Sequence, residues 1–193
     1  MNTLFTVVFL AFMLVIGIER IWETFLRKGK ERGIIIAGWT LSVLTIAYIM
    51  VYGGAVVEYF IIKRPINLII SFLGFSMYLV GLIGRWWVIK TLGKYHSVHI
   101  EIRNTHSLIK QGPYKYLRHP MYFFIIFEIL GIPLIPNSYY ACFIALFIYI
   151  PLLLIRLHLE EKAMIEKFGD AYLQYKSEVS GLFPFKKLKR KKI

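Results

Sequence analysis

The sequence predicts an all-α integral membrane protein with five transmembrane helices, and two observations carry that prediction. First, 58% of the 193 residues are apolar and the mean hydropathy is +0.60, which is incompatible with the polar surface of a soluble domain. Second, 24 Lys and Arg stand against 11 Asp and Glu, and most of the basic residues lie in blocks flanking the apolar stretches, as they do in segments on one membrane face.

A spanning helix needs about 20 largely apolar residues. Residues 3–22 supply the first and run into Glu19-Arg20-Ile21-Trp22-Glu23 without a small-residue cleavage pattern, so this reads as a retained helix in place of a removed signal. Residues 34–52 and 66–89 supply the second and third, 119–135 the fourth and shortest, and 138–157 the fifth. Basic residues crowd the segment after the first span (Arg27, Lys28, Lys30, Arg32), the segment after the third (Lys90 to Arg118) and the tail (Lys186 to Lys192). The connection between spans two and three holds only two basic residues, Lys63 and Arg64, and Pro136-Asn137-Ser138, between four and five, holds none. The bias predicts an outside N-terminus and a cytoplasmic C-terminus, and a small, prokaryote-like chain that shows no cleavable targeting signal is expected in a plasma membrane.

The formal charge of +13 is thus topology and attraction to anionic membrane lipid, and its division among three flanking segments excludes nucleic acid as the partner. Residues 1–193 read as one domain: three N-terminal spans over 1–90, a polar loop, helical hairpin and C-terminal cap over 91–184, and a basic tail over 185–193. Cys142 is a lone thiol inside an apolar run and reads as a small core residue. The five histidines, His96, His99, His106, His119 and His158, show no metalloprotease spacing, so no metal site is predicted.

Within the polar loop, Ile100-Glu101-Ile102-Arg103 alternates like a short strand. Beyond the fifth span, Leu159, Ala163, Ile165, Phe168, Tyr172 and Tyr175 recur at helical spacing, giving a helix or helix pair interrupted at Gly169-Asp170 that roofs whatever lies beneath. Tyr172 and Tyr175 read as packing residues, and Tyr116 as an interfacial aromatic anchor. Two polar clusters then stand out: Gly112-Pro113-Tyr114-Lys115-Tyr116-Leu117-Arg118-His119-Pro120-Met121-Tyr122, and Arg156, His158, Glu160 and Glu161. A hairpin of the intervening segments brings both to one membrane face. Pro120 suits the first turn of a helix, where a missing amide hydrogen costs little.

The order Gly-Pro-Tyr-x-Tyr-x-Arg-His-Pro-x-Tyr, a hairpin, Glu160-Glu161, Phe168-Gly169-Asp170-Ala171-Tyr172-Leu173-Gln174-Tyr175 and Leu182-Phe183-Pro184 resembles the isoprenylcysteine carboxyl methyltransferases, above all their short prokaryotic members. The likeness covers Leu92 to Pro184. It implies S-adenosyl-L-methionine as methyl donor, a cytosol-facing cofactor pocket built by the C-terminal half, and a lipophilic small-molecule or prenylated acceptor, most simply an isoprenylcysteine carboxylate. Carried over by position, the cofactor contacts implied are His99, His106, Ser107, Leu108, Ile109, Tyr114, His119, Pro120, Met121, Tyr122 and Glu160. Arg156 falls at the substrate-binding arginine, and Arg156 with Glu160 forms the implied catalytic pair.

These residue types suit the chemistry. Transfer from a sulfonium is an in-line displacement whose donor is already activated, so a protein has chiefly to align and desolvate the reactants. Arg156 can hold a carboxylate bidentately, and the i, i+4 spacing sets Glu160 on the same helix face, although the same spacing also fits an intrahelical salt bridge. An NADPH-dependent membrane reductase of the sterol-reductase type and a non-enzymatic lipid-binding protein are the alternatives. Arg85 and Glu128, ionisable residues inside the third and fourth spans, are expected to pair or to line a tunnel for the acceptor.

Overall fold

The computed structural model describes residues 3–26, 34–97, 100–102 and 108–183. The described chain is almost wholly helical: α1 (Thr3–Ile21), α2 (Trp39–Ile62), α3 (Leu68–Leu92), α4 (Pro120–Leu134), α5 (Tyr139–Ile144), α6 (Ile150–Phe168) and α7 (Asp170–Glu178). Among the described residues, four stretches are long and apolar enough to cross a membrane: Thr3–Thr24, Trp39–Ile62, Leu68–Leu92 and Tyr139–Phe168. The chain is therefore an integral, multi-pass membrane protein. The predicted fourth span is a helix of 15 residues. At 1.5 Å per residue it covers about 22 Å, short of a hydrocarbon core of roughly 30 Å.

Several boundaries differ from those the hydropathy predicts. The second span starts at Trp39, because the isoleucines before it are extended: β1 (Ile34–Ile36) pairs antiparallel with β2 (Ile100–Ile102), Ile35 opposite Glu101. β-branched residues suit that state, and Ala37, at φ 51°, turns the chain into the helix. The same helix passes through Gly53-Gly54 and ends at Lys63, at φ 51°, since a lipid-embedded backbone has no water to exchange its hydrogen bonds with. The fifth span does not stop at 157. α5, a wide turn at Ala145–Tyr149 and α6 form one helix of 30 residues. The wide turn ends two residues before Pro151, which lacks the amide hydrogen a regular turn requires.

α3 and α4 pack antiparallel at unusually close range, and glycine permits it. A Cβ on Gly81 would lie 2.7 Å from the Phe124 carbonyl oxygen, and one on Gly131 would lie 2.6 Å from that of Gly74. At the far end, Asn137, at φ 60°, accepts from the Asn67 amide at 2.8 Å and donates to Ser71 Oγ at 2.9 Å. Glu58 there accepts from Arg64 at 2.6 Å and from the Ala141 amide at 3.0 Å. Two apolar clusters fill the bundle. Phe9, Met13, Ile16, Tyr59, Tyr78 and Ile132 join α1 to α4, and Leu44, Val51, Tyr122, Ile129, Tyr149 and Leu153 join α2, α4 and the long C-terminal helix. The C-terminal end of α1, the start of α2, the end of α3 and the start of α4 consequently share one face with the middle of α6.

Candidate active site

The loop before α4 is anchored from both sides. Gly112 takes φ +57°, and a Cβ there would meet Thr91 Oγ1 at 2.7 Å, so the Gly112–Lys115 turn sits against the last turn of α3. On the other side the Arg118 amide donates to the Ser180 carbonyl at 2.8 Å and the His119 amide to that of Gly181 at 3.0 Å. Pro120 then opens α4 with His119 as its N-cap.

Glu161 ties this loop to the C-terminal helices. Its Oε1 accepts from Arg118 Nη2 at 2.6 Å and Nε at 3.1 Å and lies 3.2 Å from His119 Nε2, while its Oε2 accepts from Lys176 Nζ at 2.6 Å. Arg118 Nη1 also donates to the carbonyls of Lys176 at 3.1 Å and Val179 at 2.5 Å. α7, set off from α6 by Gly169 at φ +51°, is thereby drawn over the loop. The Tyr175 hydroxyl completes the seam, donating to the Tyr114 carbonyl at 2.5 Å. Burial raises the Tyr114 hydroxyl pKa well above its ordinary value and pushes that of Tyr175 up to about 12, so both phenols are neutral at physiological pH.

Beneath this roof lies a cavity of about 460 Å³. Leu108, Ile109, Tyr114, His119, Met121, Tyr122, Arg156 and Glu160 all line it. Pro120 does not; it is buried behind the wall, its part being to start the helix. His158 is exposed and does not line the cavity. His99, His106 and Ser107 lie outside the described residues, as do Pro184 and the basic tail. Among the described residues no group of His, Cys, Asp or Glu is arranged to hold a metal ion.

Arg156 is held across the bundle. Its Nη1 donates to Thr40 Oγ1 at 2.9 Å and its Nε to the Tyr122 hydroxyl at 3.2 Å, and that hydroxyl donates to Glu160 Oε2 at 2.5 Å. Thr40 in turn donates to the Ala37 carbonyl at 2.8 Å. Tyr122 therefore bridges the arginine and the carboxylate that the sequence places one turn apart. Arg156 is buried, so the network fixes its direction in a low-dielectric wall.

The opposite wall was not legible as a site. It comes from α1 and α2: Gly17, Arg20 and Glu23 with Leu41, Tyr48 and Tyr52. Arg85 and Glu128 pair as expected, Nε to Oε1 at 2.7 Å, and both are 1% exposed. Three further ions join them. Arg85 also binds Glu19 at 2.7 Å and contacts Glu23, and Arg20 contacts Glu128. The sequence signal was the Glu19-Arg20-Ile21-Trp22-Glu23 run, read only as the end of a span. Its i, i+4 carboxylates face the third span's arginine because the wide turn Trp22–Leu26 extends α1.

Comparison with known proteins locates this architecture. Residues 72–166 match the model of the isoprenylcysteine carboxyl methyltransferase (ICMT) family. The chain is 39% identical over 83 residues to the uncharacterised protein YpbQ of Bacillus subtilis, covering 42% of this chain and 49% of that one. It is 30% identical over 115 residues to the protein-S-isoprenylcysteine O-methyltransferase of Saccharomyces cerevisiae, covering 58% of this chain and 48% of the yeast protein. The solved structure of a eukaryotic intramembrane Ras methyltransferase, ICMT, superposes with a TM-score of 0.62 at 25% identity, covering 73% of this chain and 52% of that one. The chain thus spans about half the length of these relatives. The matched segment contains α4, the Arg-His-Pro turn and the Arg156 to Glu160 stretch around the cavity, and on these grounds the chain belongs to the isoprenylcysteine carboxyl methyltransferase family.

Proposed function

We propose that the chain is an S-adenosylmethionine-dependent methyltransferase acting on a lipophilic acceptor in the membrane, with carboxyl methylation of an isoprenylcysteine-type acceptor as the reaction. The observation that carries this reading is the convergence of Tyr114, His119, Met121, Tyr122, Arg156 and Glu160 on one cavity. Its size falls in the ordinary range for small-molecule sites, roughly 300–1,000 Å³. The donor set also fits. Glu160 can accept from ribose hydroxyls or an ammonium group, and the surrounding Tyr and His rings suit a cationic sulfonium.

The donor supplies a methyl group already activated by the sulfonium charge. The residues of this chain have to bind, orient and exclude water. Arg156, aimed by Thr40 and Tyr122, holds the acceptor carboxylate with an oxygen toward the donor. The apolar residues of α1 and α2, Gly17, Leu41, Leu44 and Ile49, receive the lipid tail. α7 closes the polar end. In this reading α4 completes a fifth crossing beside α3, the cavity opens toward the cytosol and the N-terminus lies outside, as the basic segments favour, in a plasma membrane.

The test is transfer of label from methyl-labelled S-adenosylmethionine by purified protein in lipid nanodiscs. The acceptors are S-farnesyl-N-acetylcysteine, its methyl ester and phosphatidylethanolamine. The reading expects a base-labile methyl ester from the free acid alone. Label on the amine lipid would replace the acceptor class, and no label with any acceptor despite donor binding would remove the carboxylate assignment.

A further inference from the structure

The cavity has a blunt end inside the bundle. Along α2 it is lined by Leu41, Leu44, Thr45, Tyr48, Ile49 and Tyr52, and among the described residues of α1 nothing nearer the N-terminus than Gly17 reaches it. Past that level Met13, Ile16, Tyr78 and Ile129 are buried core, each 4% exposed or less. Tyr52 stands at the boundary. Its hydroxyl crosses from α2 to α1 and donates to the Met13 carbonyl at 2.5 Å, and its ring stacks on that of Tyr48 with centroids 6.0 Å apart.

Gly17 makes the crossing possible. Helical side chains lean toward the N-terminus, so a side chain at 17 would lie over the carbonyl four residues earlier, and a Cβ there would stand 3.1 Å from Tyr52 Oη. Glycine leaves the Met13 carbonyl open, and tyrosine fills the opening. A phenylalanine would occupy the same space without a tie to α1, whereas the hydroxyl pins the ring across the gap between the two helices.

The distance from the polar end to this ring measures a chain. Thr40, which aims Arg156, and Tyr52 are twelve residues apart on one helix, which is about 18 Å at 1.5 Å per residue. A fully extended chain advances about 3.5 Å for every three backbone bonds, so that depth takes roughly 15 bonds. The main chain of S-farnesylcysteine, counted from the carboxyl carbon to the tail end, has that many. A fourth isoprene unit would run into the ring.

We propose that Tyr52 is a specificity-determining residue, an end stop that limits the acceptor's tail to about three isoprene units. This rests on the carboxyl-methylation reading above. Tyr52 lies outside residues 72–166, the segment matched to the family, so the stop belongs to the wall that this chain's own α1 and α2 supply.

The experiment measures kcat/KM in lipid nanodiscs for S-farnesyl-N-acetylcysteine and S-geranylgeranyl-N-acetylcysteine with wild type, Tyr52→Ala and Tyr52→Leu, and the unfolding temperature of each protein. Wild type is expected to favour the farnesyl acceptor at least about tenfold, since even one surplus methylene in a closed apolar pocket costs about that much. Both variants remove the ring and should shrink this ratio about tenfold. Equal use of the two acceptors by wild type would mean that the tail leaves sideways into lipid, and would overturn the proposal whether or not the variants fold. Folded variants that keep the wild-type ratio, or that lose both activities alike, would overturn it too while leaving carboxyl methylation standing. Failure of wild type to methylate either acceptor would remove that reading and the end stop with it.

Discussion

Neighbouring residues on a helix point about 100° apart, and Glu160 and Glu161 divide their labour accordingly. Glu161 turns toward the Arg118 loop and is 9% exposed, while Glu160 turns into the cavity and takes the Tyr122 hydrogen bond. The sequence displayed both carboxylates but nothing that fixed the rotation of the helix; the family resemblance and the spacing from Arg156 favoured Glu160. Replacing Glu161 with Gln leaves Arg118 and Lys176 without their counter-ion in a buried site. That change is expected to cost about 3 kcal/mol and to lower the unfolding temperature of detergent-purified protein with no donor present. Arg156→Lys is the converse case. A lysine cannot reach Thr40 and Tyr122 in two directions at once, so turnover is expected to fall roughly tenfold or more while donor affinity stays within about twofold, as single-turnover rates and calorimetry would show. An equal loss of both would mean that Arg156 holds the donor.

Elements were legible where hydropathy alone decides and blurred where geometry intervenes. α1, α3 and the start of the long C-terminal helix fall within a few residues of the predicted spans, and Gly169 breaks the chain where the Gly169-Asp170 signal stands. The Ile100–Ile102 strand was readable from its alternation. Its partner was not, because Ile34–Ile36 continues an apolar run and pairing depends on a segment 66 residues away. The α3–α4 contact was equally hidden. Gly74, Gly81, Gly84 and Gly131 look like scattered small residues until the two backbones are seen to interlock. Gly81→Ala sets a methyl 2.7 Å from one backbone atom and 2.8 Å from another, which side-chain rotation cannot relieve. It is expected to lower the unfolding temperature and yield of folded protein. Gly53→Ala, with nothing within 4 Å of the added carbon, is expected to be neutral or slightly stabilising.

Taken as a whole, the molecule buries its ions between its two halves. Arg85 and Glu128 could be matched from sequence because mid-span charges require partners. Glu19, Arg20 and Glu23 could not be added, since charges at the end of a span also suit an interface. Glu128→Gln weakens the anchorage of both Arg20 and Arg85 at once, so it is expected to reduce thermal stability more than Glu58→Gln at the opposite end, where Arg64 is partly exposed. The C-terminal half supplies the wall shared with the family, and α1 and α2 supply the wall beyond the matched segment, where acceptor selection belongs on the present reading. Everything functional in this account depends on the cavity being a donor site. Calorimetric titration of S-adenosylmethionine into detergent-purified wild type, Glu160→Gln and His119→Ala tests that most directly. Wild type is expected to bind saturably and one-to-one, with affinity weakened at least about tenfold in both variants while they remain folded. Folded wild type that binds no S-adenosylmethionine, or variants that bind it as tightly as wild type does, would contradict it.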